Sequence, residues 1–140
     1  MTTPQEYIDE SRKWVGTPFK HRGRICGGGV DCIGVVYEAA RAVSLLPSNI
    51  VPVDYSRDPD GVELTAGLKK HLVQIRDKRK IKPGDVLLFR FLRYPQHVGV
   101  YTGRNVIHSY SKMGKCVEHN LDDRWRKRLV GVFRFKEFMT

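Results

Sequence analysis

"KPGDVLLFRFLRYPQHVGVYTGRNVIHSYS", residues 82–111, is where the chain changes character. Pro83, Gly84 and Asp85 form a turn signal. Short runs rich in Val, Leu, Ile, Phe and Tyr follow, separated by Gly, Asn and Asp, and such runs read as strands. DVLLFRF, HVGVYTG and NVIHSYS are joined further on by KCVEHNL and LVGVFRF, which makes five predicted strands. Side chains alternate between the faces of a strand. Val98 and Val100 therefore share one face, and His97, Gly99 and Tyr101 the other, with Gly99 leaving room beside the histidine. On the next strand Val106, His108 and Tyr110 share a face. Two neighbouring strands that each carry a histidine can bring the imidazoles together, one as a base and one to orient it.

Upstream the spacing is helical. The first turn of a helix over roughly 4–14 holds Pro4, which suits that position. In GGGVDCIGVVYEAAR (27–41), Val35, Val36, Ala39 and Ala40, followed by Val43, recur at steps of three and four. They predict a second helix that begins at Cys32, after a glycine-rich loop over 16–31. VELTAGLKKHLVQI (62–75) puts Leu64, Leu68, Leu72 and Ile75 on one stripe. The proline-punctuated LLPSNIVPVDYSRDPDG (45–61) reads as a surface connection. Helices first and strands second predict an α+β fold, with the helices packed on one face of a five-stranded antiparallel sheet.

A length of 140 residues, 41% hydrophobic and 29% charged, fits one globular domain over 1–140 with a sizeable core. No apolar run is long enough for a transmembrane segment, and no signal-peptide pattern opens the sequence. The net charge of +10 favours anionic partners such as nucleic acid, acidic lipid or bacterial cell wall, although it also serves solubility. No recognition helix, aromatic stacking platform or zinc-finger spacing accompanies the charge, so no specific nucleic-acid binding is expected. Three cysteines, an odd number, argue against a disulfide framework. Cys116 and His119 have C-x-x-H spacing, but on a strand they face opposite ways, and Cys26 and Cys32 lack knuckle spacing. Neither a metal nor a cofactor is expected.

Cys32 stands at the junction of a flexible loop and an apolar helix. A free cysteine there is either a small buried hydrophobe or a nucleophile. A helix N-terminus favours the thiolate, and the cysteine's own N–H would point toward an oxyanion formed beside it. The two strand histidines supply the partner that the second reading needs.

These segments together resemble the NlpC family of papain-like cell-wall cysteine peptidases. The resemblance rests on GTPFKHRGR (16–24), the D-C-x-G of residues 31–34, IKPGDVLLFRF (81–91), HVGVYTGRNVIHSYS (97–111) and RWRKRLVGVFRF (124–135). Within the family it is similar to the short type of phage tails and phage-derived gene-transfer particles. The resemblance implies Cys32 as nucleophile, His97 as general base and then acid, and His108 as the residue that orients His97. The implied substrate is a peptidoglycan stem peptide, cut between D-γ-glutamate and the following diamino acid. Many relatives have a tyrosine whose hydroxyl assists the oxyanion hole. Here Phe19 stands in its place and cannot donate. His21 is the first candidate to replace it, ahead of Arg22 and Arg24, and Asp31 and Tyr101 are further candidates for the cleft. The resemblance also implies synthesis in the cytoplasm, association with a virion tail, tail tip or hub proteins as partners, and action at the cell wall or periplasm. A structural tail protein without activity, or acyl transfer through the same thioester, would share these motifs.

Overall fold

Thr3 starts the first helix. Its hydroxyl accepts from the Glu6 N–H while the Glu6 carboxylate accepts from the Thr3 N–H, a reciprocal cap that satisfies two otherwise unpaired donors. Helix α1 runs Pro4–Arg12 and buries Tyr7, Ile8 and Ser11. The computed structural model describes residues 1–48, 61–91 and 93–139. Most of the connection expected over 45–61 lies outside them. The glycine-rich loop holds a small hairpin, β1 (Arg24–Ile25) with β2 (Gly29–Val30), before α2 (Cys32–Ala42). Helix α3 (Val62–His71) leads to β3 (Val73–Ile75), β4 (Val86–Phe91), β5 (Tyr94–Tyr101), β6 (Asn105–Tyr110) and β7 (Lys115–Asn120). Helix α4 (Asp123–Arg128) and β8 (Leu129–Arg134) follow.

The α+β class holds, with one correction. The main sheet has six strands in the order β3-β8-β4-β5-β6-β7, where the sequence pattern indicated five. The additional strand comes from residues whose spacing also fits a helix. Leu64, Leu68 and Leu72 are buried as a stripe, but Leu72 already has extended backbone, at φ −126° and ψ 166°. Val73 then pairs with Arg134 and Ile75 with Val132, so the open edge of β8 takes these residues out of the helix. A short V-Q-I segment satisfies period two as well as 3.6, and only the available edge decides between them.

Strand β4 shows why its sequence is almost continuously apolar. Val86 and Leu88 join the core beneath the helices, which also holds Tyr7, Val35, Val36, Val98, Val100 and Phe133. Leu87 and Phe89 point the other way, into a second cluster with Tyr101, Val106, Trp125 and Val132. Both faces of the strand are thus dry, and cutting Leu87 back to Ala would cost about 2–5 kcal/mol. The Pro-Gly-Asp turn is anchored as well. Asp85 is fully buried, accepts from the Lys82 N–H at 2.8 Å and takes two bonds from Arg134 at 2.7 and 2.8 Å. That forked pair joins the start of β4 to the end of β8.

Candidate active site

The site begins at the N-terminus of α2. Asp31 caps the helix, its Oδ1 accepting from the Gly34 N–H at 2.8 Å and from Arg24 Nη1 at 3.0 Å. Its Oδ2 accepts from the Arg22 N–H at 2.8 Å. One buried carboxylate therefore ties the 19–24 loop to the helix end. It also holds Arg22 at φ +63°, a conformation that side chains with a Cβ rarely adopt. Phe19, half-buried, bridges to Val30 and donates its backbone N–H to Gly114 at 2.8 Å. His21 sits half-buried in the turn between Phe19 and β1.

Cys32 occupies the first helical position, where a backbone N–H has no acceptor inside the helix. Contrary to the sequence expectation, its thiol is not primed as a thiolate. Burial, reinforced by the negative charge of Asp31, pushes it up to about 12. The backbone N–H groups of Val98, Ile33 and Cys32 itself pull in the opposite direction and lose. The contact with Val98 sets the sulfur against β5 at the residue that follows His97.

His97 and His108 meet as the strand pattern requires, with His97 Nε2 lying 2.5 Å from His108 Nδ1. The room beside Gly99 is not empty space above the sheet. A Cβ on Gly99 would lie 2.6 Å from Val106 Cγ2 and 3.1 Å from His108 Cβ, so the missing side chain admits its neighbours. Both histidines are buried beneath Trp125, whose ring lies 5.9 Å from His97 and 4.8 Å from His108. Burial is the main reason that His97 is held well below the usual imidazole range, with the neighbouring His108 and Arg128 adding to it. Burial and His119 lower His108 to about 3. Both rings are therefore neutral at physiological pH.

Two other sequence candidates fall elsewhere. Tyr101 packs in the second core and donates its hydroxyl to Gly103 at 2.9 Å, so it supports a turn and does not line the cleft. Asp31 acts as the cap described above, with its oxygens engaged by protein donors. Cys116 is buried in the main core, and Cys26 is exposed with its Sγ directed at the Lys13 carbonyl, 3.4 Å away. Among the described residues no group of three side chains suited to a metal comes together.

Two residues were not read from the sequence as neighbours of this site. Trp125, hidden in the basic run RWRKR, roofs the histidines. His119 places its Nε2 2.7 Å from His108 Nε2 and its Nδ1 2.8 Å from the Asn120 carbonyl oxygen. Its outer side borders a depression of about 530 Å³ that Lys112, Arg124 and Arg128 also line. A signal was present, since His97, His108 and His119 recur every eleven residues.

The NlpC/P60 family pattern matches residues 16–134. The chain is 24% identical over 134 residues to the gamma-DL-glutamyl hydrolase of Bacillus subtilis (strain 168), covering 91% of this chain but 28% of that protein. Among solved structures, an NlpC/P60 family protein from Bacillus cereus ATCC 10987 superposes with a TM-score of 0.72 at 19% identity. That match covers 96% of this chain and 40% of the other. The NlpC/p60 domain of the peptidoglycan hydrolase SagA superposes with a TM-score of 0.66 at 18% identity, over 94% of this chain and 98% of that one. With the family pattern covering most of its length and the fold agreeing, the chain belongs to the NlpC/P60 family.

Proposed function

We propose that the protein is a cysteine peptidase that hydrolyses an amide bond in peptidoglycan stem peptides. Cys32 is the nucleophile, His97 the general base and then acid, and His108 the residue that orients His97. The observation that carries this reading is the His97–His108 hydrogen bond on a strand whose next residue, Val98, directs its N–H at the Cys32 sulfur. Similarity to a gamma-DL-glutamyl hydrolase supports a γ-glutamyl amide as the bond that is cut, and the family resemblance supports a diamino acid on its far side.

The chemistry starts from a neutral thiol and a neutral imidazole. As the sulfur attacks the amide carbonyl, its proton passes to His97 Nδ1, the nitrogen not engaged by His108. The carbonyl π pair moves onto oxygen, where the Cys32 N–H at the helix end meets the developing charge. Collapse breaks the C–N bond, and the leaving amine takes the proton from His97, which leaves a thioester. Water then attacks, giving a proton to His97. Cleavage of the C–S bond returns that proton to sulfur and frees the acid. Phe19 offers no side-chain donor to the oxyanion, and His21 in the adjoining turn is the proposed substitute.

Mass spectrometry of stem peptides and sacculi digested under reducing conditions with a chelator tests the reading. Wild type should yield new fragments at one amide bond and Cys32→Ala none. His97→Ala should lower kcat by about 100- to 10,000-fold. Equal fragments from wild type and Cys32→Ala would overturn the mechanism, and none from either would favour a structural role. The same proposal makes the protein a component of a phage-like tail that meets the wall from outside, with tail tip or hub proteins as partners. Sequence resemblance supports that part, and its absence from purified particles would remove it.

A further inference from the structure

The three histidines form a straight row. Tyr101 pairs with Val106 across β5 and β6, and Val106 pairs with His119 across β6 and β7. His119 thus stands level with Tyr101, while His108 stands level with Gly99, as the 3.1 Å approach to its Cβ also shows. From His97 each successive histidine is displaced by one pleat on the next strand, always on the same face. Diagonal neighbours of this kind lie within reach of long or aromatic side chains. Trp125 covers the whole row, its ring 5.6 Å from His119 as well.

The row ends on an acceptor that cannot reverse. A backbone carbonyl only accepts, so the hydrogen of a neutral His119 lies on Nδ1, toward Asn120 O. Its Nε2 then holds a lone pair and accepts from His108 Nε2–H. That leaves His108 Nδ1 to accept from His97 Nε2–H. With the His119 hydrogen on Nδ1, any other placement on His108 or His97 sets two lone pairs or two hydrogens against each other at 2.5 or 2.7 Å, and turning the whole row round sets two lone pairs together at the Asn120 carbonyl. His108 is fully buried, so solvent offers no substitute partner. We propose that His119 is a positioning residue for the peptidase chemistry, fixing His108 and through it His97 in the tautomer whose Nδ1 is bare. The proposal rests on the reading of His97 as the base for Cys32.

Two substitutions at this half-buried position push the row in opposite directions. The His119→Gln side chain retains an oxygen that can accept from His108. The His119→Lys side chain can only donate, which turns His108 round and puts the hydrogen of His97 on Nδ1. Long-range ¹H–¹⁵N spectra of histidine-labelled protein, at a pH where the rings are neutral, read the tautomers without any substrate. Wild type and His119→Gln should show His97 protonated at Nε2, and His119→Lys should show it protonated at Nδ1. On stem peptides, kcat of His119→Lys should fall about 100-fold with KM within about twofold, and His119→Gln should recover most of the rate. A His97 tautomer that is the same in folded wild type and His119→Lys would overturn the proposal. So would a wild-type His97 protonated at Nδ1. Because the spectra need no turnover, they decide the question even if stem peptides prove not to be the substrate. Should His119→Lys not fold, the tautomer of His97 in wild type and His119→Gln still decides it.

Discussion

In the proposed pairing of half-buried Cys32 with buried His97, the thiol proton can stay on sulfur or pass to nitrogen. Here the raised thiol and the lowered imidazoles both favour keeping it on sulfur. The helix N-terminus pulls toward the thiolate by about 0.3–1 kcal/mol, and burial together with the Asp31 charge pulls the other way and prevails. Iodoacetamide near pH 7.5 should therefore modify exposed Cys26 well before Cys32, with Cys116 slowest, as tryptic peptide masses would show. Asp31→Asn keeps a good cap but removes the charge that helps to raise the thiol, so Cys32 should then be alkylated several-fold faster. An unchanged rate would mean that burial alone sets the thiol. The histidines also give a pH signature. Unfolded imidazoles take up protons below about pH 6.5, while His97 and His108 do not until much lower. The unfolded state thus binds more protons, and stability falls as pH drops through this range, by about 1.4 kcal/mol per pH unit for each histidine. Urea denaturation at about pH 7 and pH 5 should reveal that slope, and His108→Gln should remove about half of it.

At the scale of elements, what the sequence disclosed followed from how local each determinant was. The start of α2 was legible because Asp31 and Cys32 and the apolar spacing after them act within two turns. The facing of His97 and His108 was legible because parity along a strand is rigid. Strand β3 was not, since Val73–Ile75 is settled by the open edge of β8, almost sixty residues away. The roles of Asp31 and Tyr101 were unreadable for a similar reason, because both depend on tertiary partners. His119 was read only against Cys116 on its own strand, whereas its partner lies across on β6. Gly99 tests the element-level account. A methyl group there would meet Val106 Cγ2 at 2.6 Å, so β5 and β6 would have to part beside the histidines. Gly99→Ala should cost about 1–3 kcal/mol in denaturation and depress kcat more than KM, whereas overpacking relieved elsewhere would leave kcat intact.

Across the whole molecule, the net charge of +10 bears on polymeric and small substrates differently. Attraction between exposed charges is screened over about 10 Å at 0.1 M salt. Release of fragments from intact sacculi should therefore slow several-fold between about 50 and 500 mM NaCl, while cleavage of a soluble stem peptide changes by less than about twofold. Equal slowing of both would place the salt effect within the site. The strand order has a consequence in time as well as in space. Strand β8 lies between β3 and β4, so two edges of the sheet await the same late segment. A ribosome that has just finished β7 has already delivered Cys32, His97, His108 and His119, but not the strand that joins β3 to the rest, nor Arg134 to neutralise buried Asp85. Every residue of the proposed chemistry is thus translated before β8 can join β3 to β4, and the six-stranded sheet is completed only once residue 134 has left the exit tunnel.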